Sequence, residues 1–392
     1  MSAPSSHREP WIHLSRKQAL SPVWSILIRV LGLVLGLAAC SALAFLLIEP
    51  LRDDPSRIGE FYKCFWDGSF SMESYIWEFI MNSAVLLCIA LALTPVFRMR
   101  YWNTGAEGQV LMGVLAAIAV NFYLGGRYDA SIKLPWDQVT LLMLAASLIA
   151  GTVWALIPAL FKVKWNTNET LFTLMMNYVA MHAVDYCRAV WVPNGSMVLS
   201  KLTDRERLRS GILYKLHGIF PSLGKYNDHL LIALIVLFVT ALMFVYLKYT
   251  KHGYEINVVG ESHNTARYAG INVKKAILRT VALSGLICGL AGWLLGAGID
   301  RTVSPESAKG WGFTAILVAW LAKFNPVMMI VTSALITFLS AGKDQITQVF
   351  NVKGALPDVF IGVVLLFVIG SEFFVNYSVH FKKPGKGAHL HV

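Results

Sequence analysis

Long apolar segments separated by short polar stretches repeat along almost the whole chain. Crossing the hydrocarbon core of a bilayer takes about 20 helical residues, and most of these segments reach that length. We predict about ten spanning helices, near 25–48, 76–97, 105–124, 138–161, 169–192, 229–248, 277–298, 312–323, 326–341 and 357–376. The eighth is short for a full crossing, which indicates a broken or partly buried helix. The pattern therefore predicts an all-α polytopic membrane protein.

The predicted spans leave two polar tails and two long loops. We expect a tail at 1–24, a single transmembrane domain at 25–376 and a second tail at 377–392. Within the domain, 193–228 is a long outer loop, and 249–276 is an inner loop whose glycines are typical of a short helix between turns. An even number of spans places both termini on one side. Lys and Arg are in excess on that side once 193–228 is set apart, which predicts that both termini are cytoplasmic.

Composition agrees with a membrane protein and argues against nucleic acid as a partner. The chain is 56% hydrophobic and 15% charged, whereas an ordinary soluble domain carries roughly 25% charged residues. The formal net charge is +11, but the basic residues are scattered among connecting loops and form no stripe with aromatic residues. Loops that face water and phospholipid headgroups account for this distribution.

The sequence contains no motif for a known catalytic or metal site. Its five cysteines form no CxxC pair and no Cys/His zinc spacing. No phosphate-binding loop and no GxGxxG, HExxH or GxSxG motif occurs. We therefore predict no catalytic residue, no metal and no cofactor in this chain. If ATP drives the protein, another subunit must hydrolyse it.

An unusually polar, glycine-rich stretch, YWNTGAEGQVLMG at 101–113, opens the third span. It carries Asn103, Thr104, Glu107 and Gln109. A carboxylate at membrane depth is costly, so such a group tends to face protein or a water-filled path. Two compatible interpretations follow. In one, Glu107 and Gln109 satisfy helix ends, where a carboxylate favours an N-terminal dipole; in the other, this turn lines a solute pathway or forms its hinge.

A second polar patch, 166–170, opens the fifth span. Asn168 or Thr167 suits an N-cap, with Glu169 in the first turn, and helix capping alone explains the patch. Asn177 lies about two turns deeper, where capping does not apply. Its side chain either makes an interhelical hydrogen bond or contacts a solute.

Two successive GxxxG spacings, Gly285–Gly289 and Gly292–Gly296, occur in the seventh span. Small residues one turn apart let helix backbones approach closely. We therefore predict that these glycines serve close helix packing.

Four sequence motifs resemble one family of transport proteins. NTGAEGQVLMG at 103–113 is similar to the N-I-G-A-E-G-Q-L-L-M-G signature of ABC importer permeases of the branched-chain amino acid/ribose/nucleoside superfamily. NETLFTLMMNY at 168–178, ARYAGI at 266–271, and GFTAI at 312–316 followed by Asn325-Pro326 resemble further motifs of that family in the same order. The resemblance spans roughly residues 75 to 375. It is closest to the nucleoside/simple-sugar permease branch.

The resemblance implies an assembly in which this chain forms the translocation pathway for a small polar solute, a nucleoside or a simple sugar. It implies a vitamin B12-importer-like fold in the bacterial plasma (inner) membrane and two permease subunits, unlike or identical. Two cytoplasmic ATPase subunits would bind ATP and Mg, and a periplasmic or lipoprotein substrate-binding protein would deliver the solute. The implied pathway residues are Asn103, Thr104, Glu107, Gln109, Asn168 and Asn177. The implied ATPase-coupling residues are Gly260, Ala266, Arg267, Tyr268, Ala269, Gly270 and Ile271.

The chain departs from the family pattern at several positions near these motifs. Thr104 replaces the usual Ile, Trp102 the usual Phe, and Thr265 an Ala. Trp320 and Phe324 stand where smaller or polar residues are common. These departures bear on which solute is carried more than on the fold.

Two other classes of function remain open from the residues alone. An ion-coupled secondary transporter would use Glu107 as its proton or sodium site, with GAEGQ and GWGF as a pair of interrupted helices. An intramembrane enzyme would need a convergent acid/base or metal constellation, for which the sequence offers only isolated Glu, Asn and His residues.

Overall fold

Helices account for nearly all of the regular structure. A computed structural model describes residues 12–16, 21–124, 134–191, 227–299, 302–352 and 356–381. The described α-helices are α1 Pro22–Leu47, α2 Glu49–Asp53, α3 Ile58–Phe70, α4 Glu73–Arg98, α5 Ala106–Leu124, α6 Trp136–Trp165, α7 Glu169–Trp191, α8 Asn227–Tyr249, α9 Lys251–Glu261, α10 His263–Tyr268, α11 Val273–Trp293, α12 Trp311–Leu321, α13 Pro326–Val349 and α14 Leu356–Asn376. A 3-10 turn, Pro55–Arg57, precedes α3, and a π-helical turn, Leu294–Ile299, follows α11.

Each of the ten predicted apolar segments falls on one of these helices. Within the described ranges, eight helices are long and apolar enough to cross a membrane. The remaining two predicted spans fall on α7, which carries polar residues such as His182 and Asp185, and on α12. With 11 residues, α12 is about 16 Å long, roughly half the hydrocarbon thickness. The helical class and the multi-pass character are therefore confirmed, whereas the count of ten spans stays a prediction.

The chain divides into two compact units, Met1–Gly68 with Leu339–Val392 (the terminal unit) and Ser69–Phe338 (the central unit). In the central unit, α4 is buried on all sides along residues 84–97. A helix that is apolar all round belongs in a core, and α8, α11 and α12 pack against it. The prediction of a single transmembrane domain at 25–376 stays a prediction, and the predicted outer loop lies outside the described residues except for its last two, which begin α8.

The glycines of α11 bring it against α6, as the GxxxG spacing predicts. A Cβ atom on Gly151 would lie 2.5 Å from the carbonyl oxygen of Gly285, closer than atoms can approach without a shift. On the same surface the Ser147 hydroxyl donates to the Gly289 carbonyl at 2.7 Å. Small residues therefore fix the contact between these two helices.

The terminal unit contains α1 and α14, packed side by side. Arg29 and Glu372 join them by an ion pair of 2.9 Å. Beyond the helix ends, strands β1 (Ile12–Arg16) and β2 (Tyr377–Phe381) pair antiparallel, with Ile12 opposite Phe381. The hydrophobic pattern did not predict this strand pair, which joins the two predicted tails. It also missed α3 in the connection after α1, a helix that buries Phe61 edge-on against Phe360.

Candidate functional site

The carboxylate of Glu107 lies at the N-terminus of α12. Glu107 is 2% exposed; its Oε1 accepts from the Gly310 backbone N–H at 2.9 Å and its Oε2 from the Gly312 N–H at 2.7 Å. The first turn of a helix carries free N–H groups and a partial positive charge. This carboxylate accepts hydrogen bonds from backbone N–H groups there, and its negative charge interacts favourably with the partial positive charge. Glu107 therefore caps a helix, but the helix is α12 and not its own α5.

Two glycines make this contact possible. Gly310 has φ +70°, in the left-handed region that favours glycine, directly before α12. A Cβ on Gly312 would overlap the backbone nitrogen of Glu107. GAEGQ and GWGF, about 200 residues apart in sequence, therefore form one close contact.

Asn103 and Gln109 form a buried amide pair beside Glu107. The Asn103 Oδ1 accepts from the Gln109 Nε2 at 3.2 Å, and the Asn103 Nδ2 donates to the Gln109 Oε1 at 3.4 Å. The Asn103 Oδ1 also accepts from the Gly105 N–H at 3.0 Å. These bonds fix the turn that leads into α5, since a buried amide without partners is costly.

Asn177 of α7 completes the arrangement from the other side. Its Nδ2 donates to the Thr104 carbonyl and its Oδ1 accepts from the Gly108 N–H, both at 2.9 Å. The Thr104 N–H and hydroxyl lie 3.1 Å from the Thr173 hydroxyl. The interhelical hydrogen bond, one of the two interpretations of Asn177, is therefore present. We call the set Asn103, Thr104, Glu107, Gln109, Thr173 and Asn177 the polar cluster.

Asn168 lies apart from the polar cluster. It is exposed, and its Oδ1 accepts from the Leu171 N–H at 3.2 Å, which makes it the N-cap of α7. It also lines a cleft of about 350 Å³ along α7. The cleft is lined by Thr167, Asn168, Leu171, Phe172, Met175, Met176 and Val179. The four-residue spacing of Leu171, Met175 and Val179 is the sequence signal that marks this apolar face.

The inner loop holds two helices, α9 and α10, where the sequence predicts one. The motif ARYAGI ends α10 in a Schellman motif: the Ile271 N–H donates to the Ala266 carbonyl and the Gly270 N–H to the Arg267 carbonyl. Gly270 has φ +75°, which explains the glycine. The motif buries Ala266 and leaves Arg267 exposed and Tyr268 95% exposed.

Two residues attach this loop to the spanning helices. A Cβ on Gly260 would overlap the carbonyl oxygen of Arg98 at the end of α4, so Gly260 is a packing position. Glu255 accepts from the Arg279 Nη2 at 2.6 Å, and this hydrogen bond lowers the pKa of the Glu255 carboxyl below its usual value. Among the described residues, no group of three or more His, Cys, Asp or Glu could hold a metal ion.

The fold and this site define a multi-pass helical membrane protein whose spanning helices meet in a buried polar cluster beside a loop with exposed side chains. Residues 75–369 match the family described as branched-chain amino acid transport system / permease component. The chain belongs to this family, and it is a permease subunit.

Several transport proteins are similar to the chain over most of its length. The guanosine ABC transporter permease protein NupP of Bacillus subtilis is 30% identical over 93% of this chain and 98% of its own length. The glucose ABC transporter permease protein TsgB13 of Haloferax volcanii is 29% identical over 77% and 78%. The guanosine ABC transporter permease protein NupQ, also of Bacillus subtilis, is 27% identical over 63% and 75%.

Proposed function

We propose that this chain is the membrane-spanning subunit of an ABC importer and forms the pathway for a nucleoside or a simple sugar. The observation that carries the proposal is the family match over 75–369, with relatives named for guanosine and glucose. The vitamin B12-importer-like arrangement with about ten spans belongs to the same proposal. This family does not favour an ion-coupled transporter, and in the structure Glu107 is already paired with the N-terminus of α12.

The proposal includes the partners that such a subunit needs. ATPase subunits bind ATP and Mg, and a periplasmic or lipoprotein substrate-binding protein supplies the solute. Similarity to two different guanosine permeases of one organism supports an unlike second permease. We place the protein in the bacterial plasma (inner) membrane with both termini cytoplasmic. The pairing of β1 with β2 supports a common side for the two termini, since it brings the two tails together.

The polar cluster shapes the pathway in this proposal and does not bind the solute tightly. Its side chains already have protein partners, and Asn103, Glu107, Gln109, Thr173 and Asn177 are at most 2% exposed. An open surface lies along α7, in the cleft that Asn168 helps to line. We propose that this face of α7 borders the route and that solute selection rests mainly with the substrate-binding protein.

Coupling to the ATPase takes place at the inner loop. Arg267 and Tyr268 stand exposed at the end of α10, whereas Ala266, Gly260 and the Schellman motif hold the loop in shape. Aromatic and arginine side chains are frequent anchors in protein interfaces. The loop therefore has a fixed backbone and two free anchors for a cytoplasmic partner.

A purified complex tests the proposal. The chain is isolated with its native partners, and the substrate-binding protein is screened by thermal shift with guanosine, other nucleosides and simple sugars. A stabilising ligand that is then taken up into proteoliposomes only with ATP supports the proposal. Uptake driven by a proton or sodium gradient without an ATPase contradicts it and favours the ion-coupled alternative.

A further inference from the structure

The short helix α12 is held at both ends by charged side chains, one from the last residue of α4 and one from the first turn of α5. At its N-terminus lies the Glu107 carboxylate, as described above. Beyond its C-terminus, the Arg98 Nη2 donates to the Phe324 carbonyl at 2.7 Å. Carboxylate at the start and guanidinium at the end is the favourable arrangement for a helix dipole.

The backbone after α12 is shaped to receive Arg98. Lys323 and Phe324 both have positive φ, 50° and 57°. The Phe324 N–H donates to the Ala319 carbonyl and the Lys323 N–H to the Trp320 carbonyl, each at 2.9 Å. This turn satisfies helix carbonyls and leaves the Phe324 carbonyl directed at Arg98.

Four aromatic rings close around the same helix end; we call them the aromatic cluster. Ring centroids lie 5.6 Å apart for Phe97 and Trp102, 5.6 Å for Trp102 and Trp320, 6.3 Å for Trp320 and Phe324, and 6.0 Å for Phe324 and Phe97. Three of these residues, Trp102, Trp320 and Phe324, are positions where we expect a departure from the family pattern. They meet in one place and join the residues that flank Arg98 to the last turn of α12.

The inner loop reaches this junction through α9. Gly260 lies so close to Arg98 that a Cβ would overlap its carbonyl oxygen, and the same Cβ would lie 3.3 Å from the Met99 Cα. One end of α12 is therefore linked to the inner loop through Arg98, and the other end is bonded to the polar cluster. Packed interiors transmit displacement because they have little free volume.

We propose that Arg98 and Glu107 are positioning residues that make α12 a rigid connection between the inner loop and the polar cluster. The inference rests on the proposed function, in which an ATPase moves the loop. A displacement of α9 then shifts Arg98 and α12 together. Through Glu107, the same shift changes the turn from which the polar cluster is built.

The first test measures solute uptake per ATP hydrolysed by the assembled transporter in proteoliposomes. Arg98→Met removes the donor but keeps the chain length, and uptake per ATP should fall about fivefold or more while the ATPase still copurifies. Arg98→Lys should restore part of the ratio, because its ammonium can donate to the same carbonyl. Arg100→Met is the matched control, since Arg100 is exposed two residues further on, and its ratio should not change.

Parallel losses of uptake and hydrolysis in Arg98→Met would indicate a structural role and overturn the proposal. An Arg98→Met complex with the same uptake per ATP hydrolysed as the unmodified complex would also overturn the proposal. The double variant with Glu107→Gln adds a second criterion: because both residues hold one helix, its uptake should be no lower than in the worse single variant. If the fold-loss of uptake in the double variant equals the product of the two single-variant losses, the residues act independently, and a shared role is contradicted. Absence of ATP-dependent uptake by the unmodified complex is a different result, which refutes the proposed function itself.

A distance measurement needs no substitution at the junction. Spin labels replace exposed Phe313 in α12 and exposed Tyr254 in α9, in a Cys187→Ser background, since the other four cysteines are buried. The distance between labels should stay constant between nucleotide-free and ATP-trapped complexes, because α9 and α12 move together. A clear change in this distance contradicts a rigid connection.

Discussion

At the scale of single residues, buried amides and hydroxyls tie the start of α5 to α7. Asn177 bonds two backbone groups of the turn that opens α5, at Thr104 and Gly108. These bonds lie in a region where water cannot replace them, so each missing partner costs a desolvation penalty of about 1–3 kcal/mol. The polar residues that look misplaced in an apolar segment thus satisfy one another and the backbone.

Asn177→Leu should destabilise the protein, because it leaves the Gly108 N–H and the Thr104 carbonyl without their partner. We expect a loss of about 1–3 kcal/mol, measured as a lower melting temperature of the purified chain. Tyr178→Phe is the control, since Tyr178 is exposed on the same turn. Equal melting temperatures for Asn177→Leu and the unmodified chain would show that these bonds contribute little.

Gly270→Ala should weaken binding of the ATPase through the backbone alone. Nothing lies within 4 Å of a Cβ built at Gly270, but its φ is +75°, which strains an L-residue by roughly 1–2 kcal/mol. Gly270→Asn should have a smaller effect, because Asn tolerates the left-handed region better. The measurement is the affinity of each detergent-solubilised variant for the ATPase, which should be lowest for Gly270→Ala and intermediate for Gly270→Asn. An affinity of Gly270→Ala equal to that of the unmodified chain would contradict the role of this turn.

The sequence located the polar residues of the site but not all of their partners. Asn103, Glu107 and Gln109 stand out because polar groups are rare in an apolar span. Gly310 and Gly312 do not stand out, since a backbone N–H carries no side-chain signal and the contact joins positions about 200 residues apart. Arg98 was visible only as one of the basic loop residues. Which helix end it reaches depends on tertiary packing.

At the scale of elements, glycine sets how closely the spanning helices pack. The α6–α11 contact brings Gly151 against Gly285, with no room for a side chain on either helix. In lipid, helix association depends on close van der Waals contact, because lipid tails are as apolar as leucine. This contact was predictable from the GxxxG spacing, whereas its partner helix was not.

Gly151→Ala should lower the melting temperature, because its Cβ would lie 2.5 Å from the Gly285 carbonyl oxygen. Gly362→Ala in α14 is the matched control, since nothing lies within 4 Å of its Cβ. That control should be neutral or stabilising by up to about 1 kcal/mol, because alanine is the better helix former. A result in which the two variants melt alike would contradict the packing described for α6 and α11.

The inner loop is the element that we propose contacts the ATPase, and Arg267→Glu tests it. Arg267 is exposed, so charge reversal should leave the melting temperature unchanged while ATP-dependent uptake falls at least about tenfold. Lys251→Glu, exposed at the far end of the loop, provides the control for charge reversal. Normal transport by Arg267→Glu with intact ATPase association defeats the assignment of this loop to coupling.

At the scale of the whole molecule, hydrophobic length decided the class of protein and family motifs decided its function. Ten apolar segments were predictable because each helix must satisfy its own backbone in lipid. The polar helix α7 and the short helix α12 are not identified as membrane spans by hydropathy and length alone, because their place in the fold depends on contacts with neighbouring helices. The β1–β2 pair was not predictable either, since it joins segments from opposite ends of the chain.

The account depends on one claim, that this permease moves its solute only when a separate ATPase subunit hydrolyses ATP. The most direct measurement compares uptake into proteoliposomes that contain the chain with its partners and either the active ATPase or a hydrolysis-deficient variant of it. We predict that the solute accumulates when the active ATPase is present and ATP is supplied. With the hydrolysis-deficient variant we predict only background uptake of the solute. Full-rate accumulation with the deficient variant, or with no ATPase present, would contradict the account.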